Sequence, residues 1–329
     1  MNFNFAPMHH ALRLAARGLG RVAPNPAVGC VIVAPDGRVV GRGWTQDGGQ
    51  PHAETMALAE AGALARGATA YVTLEPCAHF GMTPPCSDAL IAAGVARVVA
   101  AVEDPDPRVK GQGFAKLRAA GIAVETGVLE TQAADLNRGF FLRVTENRPL
   151  VTLKIAQSAD RKTVPPPGAS RWITSEAARR YAHLLRARHD AVLVGVNTVI
   201  ADDPALTVRL PGLEKYSPLR VVLDRSGRMP KTARLAAPDT LVLDGDIPAV
   251  LHALAGRGVT RLLVEGGATI FRAFLDAGYA DRIELFTAPL TLGEGAGGEV
   301  PNLAESPDFL RVRRRSLGPD TLESFARRA

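Results

Sequence analysis

One histidine, one glutamate and two cysteines lie in a pattern suited to hold a metal ion. His52 and Glu54 open a predicted helix, Cys77 follows a predicted strand, and Cys86 precedes the next predicted helix. One imidazole and two thiolates are the three protein ligands of a catalytic Zn²⁺ ion, which keeps its fourth tetrahedral position for water. Glu54 is placed to move a proton from that water to a leaving group. The pattern predicts one zinc ion per chain, with Glu54 as the catalytic residue.

The motif around these residues is typical of zinc-dependent deaminases. That class carries His-x-Glu followed by Pro-Cys-x-x-Cys, and its glutamate is not a ligand. Here eight residues separate Cys77 from Cys86, so the second thiolate comes from the start of a helix, where the helix dipole favours negative charge. The alternative is that both cysteines are buried loop residues and His52 caps a helix. Cys30 lies inside an apolar strand and is expected in the core.

The elements that position these residues form two α/β halves. Strands alternate with helices over residues 28–144, which predicts a largely parallel sheet covered by helices on both faces. The last helix of this half is predicted over residues 131–144. A polar segment closed by Pro149 precedes a second alternating half. We therefore predict two domains, residues 1–147 and 148–329.

The charges are divided unequally between these halves. Residues 1–147 hold 13 basic and 13 acidic side chains, so the whole net charge of +6 lies in residues 148–329. Such an excess is expected where phosphorylated small molecules or nucleic acid bind. Three cysteines, no apolar run of membrane-spanning length and no signal-peptide pattern predict a cytoplasmic protein without disulfides or membrane contact.

Longer stretches of the first half resemble a known family. The segments Pro24–Cys30, His52–Glu54 and Thr73–Cys86 resemble the deaminase half of the bifunctional deaminase/reductase family of riboflavin biosynthesis. The resemblance implies a cytidine-deaminase-like three-layer α/β/α domain that deaminates 2,5-diamino-6-ribosylamino-4(3H)-pyrimidinone 5′-phosphate. Asn25 and His79 match substrate-binding positions of that family. From residue type alone, Asn25 is equally suited to a turn and His79 to stabilising a loop.

The second half resembles the reductase half of the same family. This resemblance implies a dihydrofolate-reductase-like α/β domain that uses NADPH to reduce the ribosyl group of the deaminated product, giving 5-amino-6-ribitylaminouracil 5′-phosphate. No Gly-x-Gly-x-x-Gly follows a strand, so a Rossmann-type site lacks support. The positions that match NADP contacts are Ala156, Trp172, Thr198, Asp202, Gly267, Ala268 and Thr269. The positions expected at the substrate are Lys154, Ser170, Arg186, Leu206, Arg209 and Glu265.

Several of these assignments have a plainer alternative. Arg186 and Arg209 suit phosphate because a guanidinium group donates paired hydrogen bonds to it. A solvated helix face would equally explain Arg186, and a charged strand edge would explain Arg209. Trp172 also suits core packing, and Lys154 also suits an exposed strand.

Three residues depart from the family pattern. Thr45 stands where many members have histidine, and Met82 stands where they have lysine or arginine. Because both usual residues are suited to anchoring substrate, we expect this chain either to hold its substrate differently or to bind it with lower affinity. Arg161 replaces a turn glycine and lacks easy access to positive φ, so we expect the loop around it to follow another path.

The alternative function is a nucleic-acid deaminase, acting on tRNA, with a basic accessory domain. Arginines at 311, 313, 314 and 315 would supply its positive surface. Aromatic residues make up only 5% of the chain, and residues 1–147 carry no net charge, which disfavours base stacking and polyanion binding there. A regulatory zinc protein without catalysis is a third interpretation. The favoured partner is a phosphorylated pyrimidine, with no nucleic acid and no membrane, and homo-oligomerisation stays open.

Overall fold

The computed structural model describes residues 5–80, 84–170 and 172–328. The chain divides into two compact units, Met1–Arg148 and Pro149–Ala329. Within the described residues, no helix is long and apolar enough to cross a membrane.

The first unit is a five-stranded sheet packed against helices. The helices are α1 (Ala6–Ala15), α2 (Ala53–Ala61), α3 (Cys86–Ala93), α4 (Gln112–Ala119), α5 (Glu130–Leu136) and α6 (Arg138–Glu146). The strands are β1 (Gly29–Val33), β2 (Val39–Trp44), β3 (Thr69–Val72), β4 (Arg97–Ala100) and β5 (Ala123–Glu125). The strand order is β2-β1-β3-β4-β5. Strand β1 is antiparallel to both β2 and β3, whereas β3, β4 and β5 are parallel. The prediction of a largely parallel sheet was therefore wrong in part, because the pairings of β1 with β2 and with β3 are antiparallel.

Glycines let two helices lie directly on this sheet. A Cβ atom at Gly43 in β2 would lie 2.0 Å from the carbonyl oxygen of Ala53 in α2. A Cβ atom at Gly29 in β1 would lie 1.9 Å from the carbonyl oxygen of Ala11 in α1. Gly29 and Gly43 point to opposite faces, because successive strand residues alternate and Gly29 pairs with the residue after Gly43. Helix α2, which carries Glu54, is thus fixed against the sheet.

The helix predicted over residues 131–144 is two helices that meet at Asn137. Its Oδ1 accepts a hydrogen bond from the Ala27 N–H at 2.9 Å, and its Nδ2 donates to the Ala27 carbonyl at 3.0 Å. Asn137 has φ −95° and ψ 10°, outside the helical region. The break therefore anchors the segment that contains Asn25, a tertiary role that the helical periodicity did not reveal.

The second unit contains an eight-stranded sheet. Its helices are α7 (Glu176–Arg186), α8 (Val196–Asp202), α9 (Ile247–Gly256) and α10 (Ala268–Asp276). Its strands are β6 (Leu150–Gln157), β7 (Lys162–Val164), β8 (Ala191–Gly195), β9 (Leu219–Leu223), β10 (Thr240–Leu243), β11 (Arg261–Glu265), β12 (Arg282–Thr287), β13 (Gly297–Glu299), β14 (Phe309–Leu317) and β15 (Asp320–Arg327).

The parallel strands of this sheet bring two of the predicted reductase residues, Lys154 and Glu265, together toward the carboxyl ends of the strands. The order is β10-β9-β8-β11-β6-β12-β15-β14, and the six strands from β10 to β12 are parallel. Strands β7 and β13 form a separate two-stranded sheet. Ligands of open parallel sheets bind beyond the carboxyl ends of the strands. Lys154 pairs with Glu265 near those ends of β6 and β11.

The loop after β6 has a left-handed residue at the position where the family pattern has glycine. Arg161 itself has φ 61°, and its N–H donates to the Ser158 carbonyl at 3.0 Å. The Ser158 N–H in turn donates to the Lys162 carbonyl at 3.0 Å. The absence of glycine therefore does not prevent a positive φ at this position, because the surrounding hydrogen bonds hold arginine in the left-handed region at a cost of about 1 kcal/mol.

Candidate functional site

Three elements bring the predicted metal ligands together. His52 directly precedes α2, Cys77 lies in the loop after β3, and Cys86 begins α3. Nδ1 of His52 lies 3.2 Å from Sγ of Cys86 and 3.6 Å from Sγ of Cys77. The three ligand atoms lie within 4.8 Å of one another. One imidazole and two sulfurs at this spacing fit a zinc ion with an open coordination position.

The electrostatics of this cluster favour a bound cation. The Cys86 thiol donates to the Cys77 sulfur and, despite burial, lowers the pKa of Cys77 to about 4, with His52 contributing. The same pairing raises the pKa of Cys86. Burial, and then the Cys77 charge, raises the pKa of Glu54 to about 7. The amide of Gln50 lies 2.7 Å from Nε2 of His52 and orients its ring.

Glu75 fixes the loop that carries Cys77, a role that the sequence analysis did not assign. Its carboxylate is buried and accepts hydrogen bonds from the N–H groups of Gly111 at 3.0 Å, Phe114 at 3.2 Å and Asp104 at 3.3 Å. The only signal in the sequence is an acid directly before Pro-Cys. Glu75 thus joins the metal-ligand loop to the start of α4.

Two further acids near this loop were also missed. Asp104 and Asp106 are buried in the segment after β4, and the pKa of Asp104 is raised to about 7 by burial and by the charges of neighbouring acids. Asp106 forms an ion pair with Arg108. Nδ1 of His79 is buried and has no hydrogen-bond partner in the described chain, so it is available to a ligand. The sequence signal for Asp104 and Asp106 would have been their position just beyond the carboxyl end of β4, which runs parallel to β3.

Asn25 and Thr45 join the segment before β1 to the residues that follow β2. Nδ2 of Asn25 donates to the Gly49 carbonyl at 3.1 Å. Oγ1 of Thr45 accepts from the Val28 N–H at 3.0 Å and donates to the Pro26 carbonyl at 3.2 Å. Thr45 is buried, and its two hydrogen bonds hold the 24–30 segment. Met82 lies outside the described residues.

In the second unit, Arg186 reaches from α7 to Glu265 at the end of β11. Its Nε and Nη2 donate to the two carboxylate oxygens at 2.6 and 2.9 Å. Burial would raise the pKa of Glu265, but Arg186 lowers it to about 2. Burial lowers the pKa of the neighbouring Lys154. Since both Arg186 and Lys154 are held inside the fold, the solvated alternatives for them do not apply.

Of the other predicted substrate residues, Leu206 and Arg209 belong to the segment that Arg186 contacts at Thr207, and Ser170 lies in a separate segment before α7. Leu206 is buried and has φ 54°, a backbone strain that is frequent at binding sites. The Arg209 side chain is exposed and its guanidinium has no hydrogen-bond partner in the described residues. Ser170 is exposed, and its Oγ accepts from the Trp172 N–H at 3.2 Å.

The predicted cofactor residues lie at the start of α10, in α8, in β6 and in the segment before α7. A Cβ atom at Gly266 would lie 3.3 Å from Oγ1 of Thr198, so the glycine turn before α10 meets the first turn of α8. Ala268 and Thr269 begin α10 behind Gly267, Asp202 ends α8, and Ala156 is half-buried in β6. Trp172 is 49% exposed and stacks at 4.9 Å on the guanidinium of Arg179, which excludes core packing. An open glycine turn at a helix start fits the phosphates of a dinucleotide.

Comparisons with known proteins agree with both units. Residues 149–321 match the family described as the RibD C-terminal domain, and residues 1–102 match the cytidine and deoxycytidylate deaminase zinc-binding region. The riboflavin biosynthesis protein RibD of Aquifex aeolicus is 43% identical, with 97% of each chain covered. The chain belongs to the RibD family.

Solved RibD structures extend this result to the fold. RibD of Acinetobacter baumannii is 40% identical and superposes with a TM-score of 0.90 over 99% of each chain. A deaminase/reductase from Thermotoga maritima is 36% identical, with a TM-score of 0.89 over 98% of each chain. The chain therefore has the cytidine-deaminase-like and dihydrofolate-reductase-like α/β units of RibD, and the family resemblance read from the motifs is confirmed. RibD proteins are zinc-dependent deaminases joined to NADPH-dependent reductases.

Proposed function

We propose that this RibD protein catalyses two consecutive steps of riboflavin biosynthesis. The first unit removes an amino group from 2,5-diamino-6-ribosylamino-4(3H)-pyrimidinone 5′-phosphate, and the second reduces the ribosyl group to ribityl with NADPH. The printed name of the Thermotoga maritima relative, diaminohydroxyphosphoribosylaminopyrimidine deaminase/5-amino-6-(5-phosphoribosylamino)uracil reductase, supports this pair of reactions. The observation that carries the proposal is the convergence of His52, Cys77 and Cys86 beside the buried Glu54.

The deaminase unit comprises residues 1–147. The metal would be held there by His52, Cys77 and Cys86. A bound zinc ion supplies a Lewis acid that makes water nucleophilic near neutral pH. Glu54 takes the proton of the attacking water and returns it to the departing amine, a role suited to its pKa near 7. Asn25 and His79 hold the pyrimidine, and the unpaired Nδ1 of His79 supports this role.

In the reductase unit, residues 148–329, two sets of residues bind the reactants. NADPH supplies a hydride. Its binding residues are Ala156, Trp172, Thr198, Asp202, Gly267, Ala268 and Thr269. The substrate-binding residues are Lys154, Ser170, Arg186, Leu206, Arg209 and Glu265. The meeting of Thr198 with the glycine turn supports the first set, and the cluster of Lys154, Arg186 and Glu265 supports the second.

We propose a small phosphorylated pyrimidine as the partner, in the cytoplasm, with neither nucleic acid nor a membrane. The arginine-rich strand β14 lies at the edge of its sheet, where charged side chains protect an open strand from pairing. Arg311 on it pairs with Glu323 at 2.7 Å. This use of the arginines weakens the tRNA alternative. The proposal holds for a monomer and for a homo-oligomer alike.

A single experiment tests both reactions. The diaminopyrimidine phosphate is supplied to the purified, zinc-loaded chain with and without NADPH, and the products are identified by mass spectrometry. We expect the deaminated ribosyl compound without NADPH and the ribityl compound with it. Unchanged substrate in both arms contradicts the proposal, and deamination of tRNA under the same conditions supports the alternative.

A further inference from the structure

His183 lies on α7 one turn before Arg186, and both side chains reach the same backbone oxygen. Nδ1 of His183 lies 3.1 Å from the Thr207 carbonyl oxygen, and Nη1 of Arg186 donates to that oxygen at 2.9 Å. Because a carbonyl only accepts hydrogen bonds, Nδ1 bonds to Thr207 when it carries a proton. The Arg209 N–H donates to the same nitrogen at 3.3 Å, a bond that needs Nδ1 without a proton. The Thr207 carbonyl thereby orients the imidazole.

The opposite nitrogen of His183 is free for a ligand. Nε2 makes no hydrogen bond within the described residues, and it is not among the buried polar atoms that lack a partner, so solvent reaches it. The guanidinium of Arg209 is likewise exposed and without a hydrogen-bond partner in the described chain. Arg209 contacts the ring through its backbone, and its charge acts on the imidazole. The same part of the unit therefore offers two donors to an anion, one permanent and one that depends on protonation.

Three charged groups face the imidazole. Arg186 faces it from α7, Arg209 from the segment after α8, and Glu265 from the end of β11. Burial and the two arginines lower the pKa of His183 to about 4, and Glu265 opposes them only in part because it is paired with Arg186. The ring is therefore neutral in the free protein at pH 7. The unbalanced positive charge beside it belongs to Arg209.

We propose that Nε2 of His183 binds the phosphate of the phosphorylated reductase substrate beside Arg209, and that the ring takes up one proton as the phosphate binds. This inference rests on the proposed reductase function. The proton comes from solvent, and the neutral imidazole becomes an imidazolium that donates from Nδ1 to the Thr207 carbonyl and from Nε2 to a phosphate oxygen. His183 is thus a positioning residue that no family motif identified.

The expected change in protonation follows from simple electrostatics. A unit negative charge about 4 Å from the ring, in a partly buried site, raises the pKa of an imidazole by about three units. A phosphate at Nε2 would therefore bring His183 close to neutrality. Binding should take up protons at pH 6.5 and much less at pH 8, where the imidazole of the complex loses its proton.

Calorimetry measures this proton directly. D-ribose 5-phosphate is titrated into the full chain at pH 6.5, with the cofactor site filled by NADP⁺, in two buffers of different ionisation enthalpy. We expect proton uptake by the wild type, and less uptake with about tenfold weaker binding by His183→Gln. His252→Gln changes an exposed histidine on α9 and should behave as wild type. D-ribose, which lacks the phosphate, should cause no uptake.

Three results overturn the inference. These are proton uptake that persists in His183→Gln, binding of ribose 5-phosphate by the wild type without uptake at pH 6.5, and no binding of ribose 5-phosphate at all. The second and third need no variant, so a folding defect of His183→Gln does not obscure them. The proposed function fails separately, if the wild type does not oxidise NADPH with the deaminated substrate.

Discussion

Arg186 and Glu265 form a buried two-point ion pair that joins α7 to the end of β11. Both hydrogen bonds are short, at 2.6 and 2.9 Å, and the side chains are only 13% and 11% exposed. The pair uses one bond to each oxygen of Glu265 and two of the five N–H groups of Arg186, and a third N–H group, on Nη1, donates to Thr207. Both side chains therefore keep hydrogen-bonding capacity for a substrate while the pair fixes their positions, and the guanidinium of Arg209 makes no hydrogen bond within the described residues.

Breaking this pair should destabilise the chain strongly. Arg186→Met or Glu265→Leu alone leaves one buried charge unpaired, and we expect a loss of about 3–5 kcal/mol in the free energy of unfolding. The double variant should lose less than the sum of the two. Urea denaturation of all three variants measures the coupling. The exposed Arg42–Glu60 pair is the control, and its disruption should cost less than about 1 kcal/mol; equal costs for both pairs would contradict a buried pair.

Glu54→Gln should separate metal binding from catalysis. The substitution keeps the size of the side chain and leaves His52, Cys77 and Cys86 intact, so the variant should retain one zinc per chain. Deamination should fall by at least about 10²-fold, because proton transfer is lost. Zinc content and deaminase turnover are measured together, with Glu60→Gln on the exposed side of the same helix as the control. Full turnover by Glu54→Gln would remove this residue from the mechanism.

Gly43→Ala should damage the metal site from a distance. The added Cβ atom would lie 2.0 Å from the Ala53 carbonyl, so α2 must shift and carry His52 with it. We expect lower zinc occupancy and a lower melting temperature of the first unit. The NADPH-dependent reduction of deaminated substrate should be retained. Arg38→Ala, at an exposed residue directly before β2 that pairs with Asp36 of its own turn, is the matched control, and zinc occupancy equal in both variants would refute the argument.

His189 should make the stability of the second unit depend on pH. Its ring is buried, with Nδ1 2.7 Å from the Leu185 carbonyl and Nε2 3.1 Å from Oγ1 of Thr152. Burial, and then Arg261, lowers its pKa to about 3, whereas the unfolded value is about 6.5. Between these values the unfolded chain binds the extra proton, so the free energy of unfolding falls as the pH falls.

The His189 contribution approaches about 1.4 kcal/mol per pH unit within that window. Denaturation of the wild type and of His189→Gln from pH 7 to pH 4 measures the slope, which the variant should reduce. His252→Gln should keep the wild-type slope. An unchanged slope in His189→Gln would show that other groups carry the pH dependence.

The sequence predicted the metal centre better than the reductase pocket, for a physical reason. His52, Cys77 and Cys86 stand beside helix and strand ends whose positions follow from local pattern, and their chemistry restricts them to few uses. For Arg186 the sequence favoured phosphate binding but left a solvated helix face open, because its partner Glu265 is 79 residues away. Long-range partners of this kind leave no local signal.

The same reason explains the errors in the fold. The apolar periodicity of residues 131–144 continued through Asn137, whose bonds to Ala27 span 110 residues. Arg161 has the positive φ of a turn glycine because hydrogen bonds within its own turn hold it there. A tertiary contact overrode the local preference at Asn137, and the hydrogen bonds of the turn did so at Arg161.

The three backbone hydrogen bonds to Glu75 make the loop after β3 and the first turn of α4 open as one unit. Amide hydrogen exchange at Phe114 and release of the metal should therefore be governed by a shared local opening. The rate at which the centre loses its metal would then depend on how often the first turn of α4 opens, although α4 supplies none of the metal ligands.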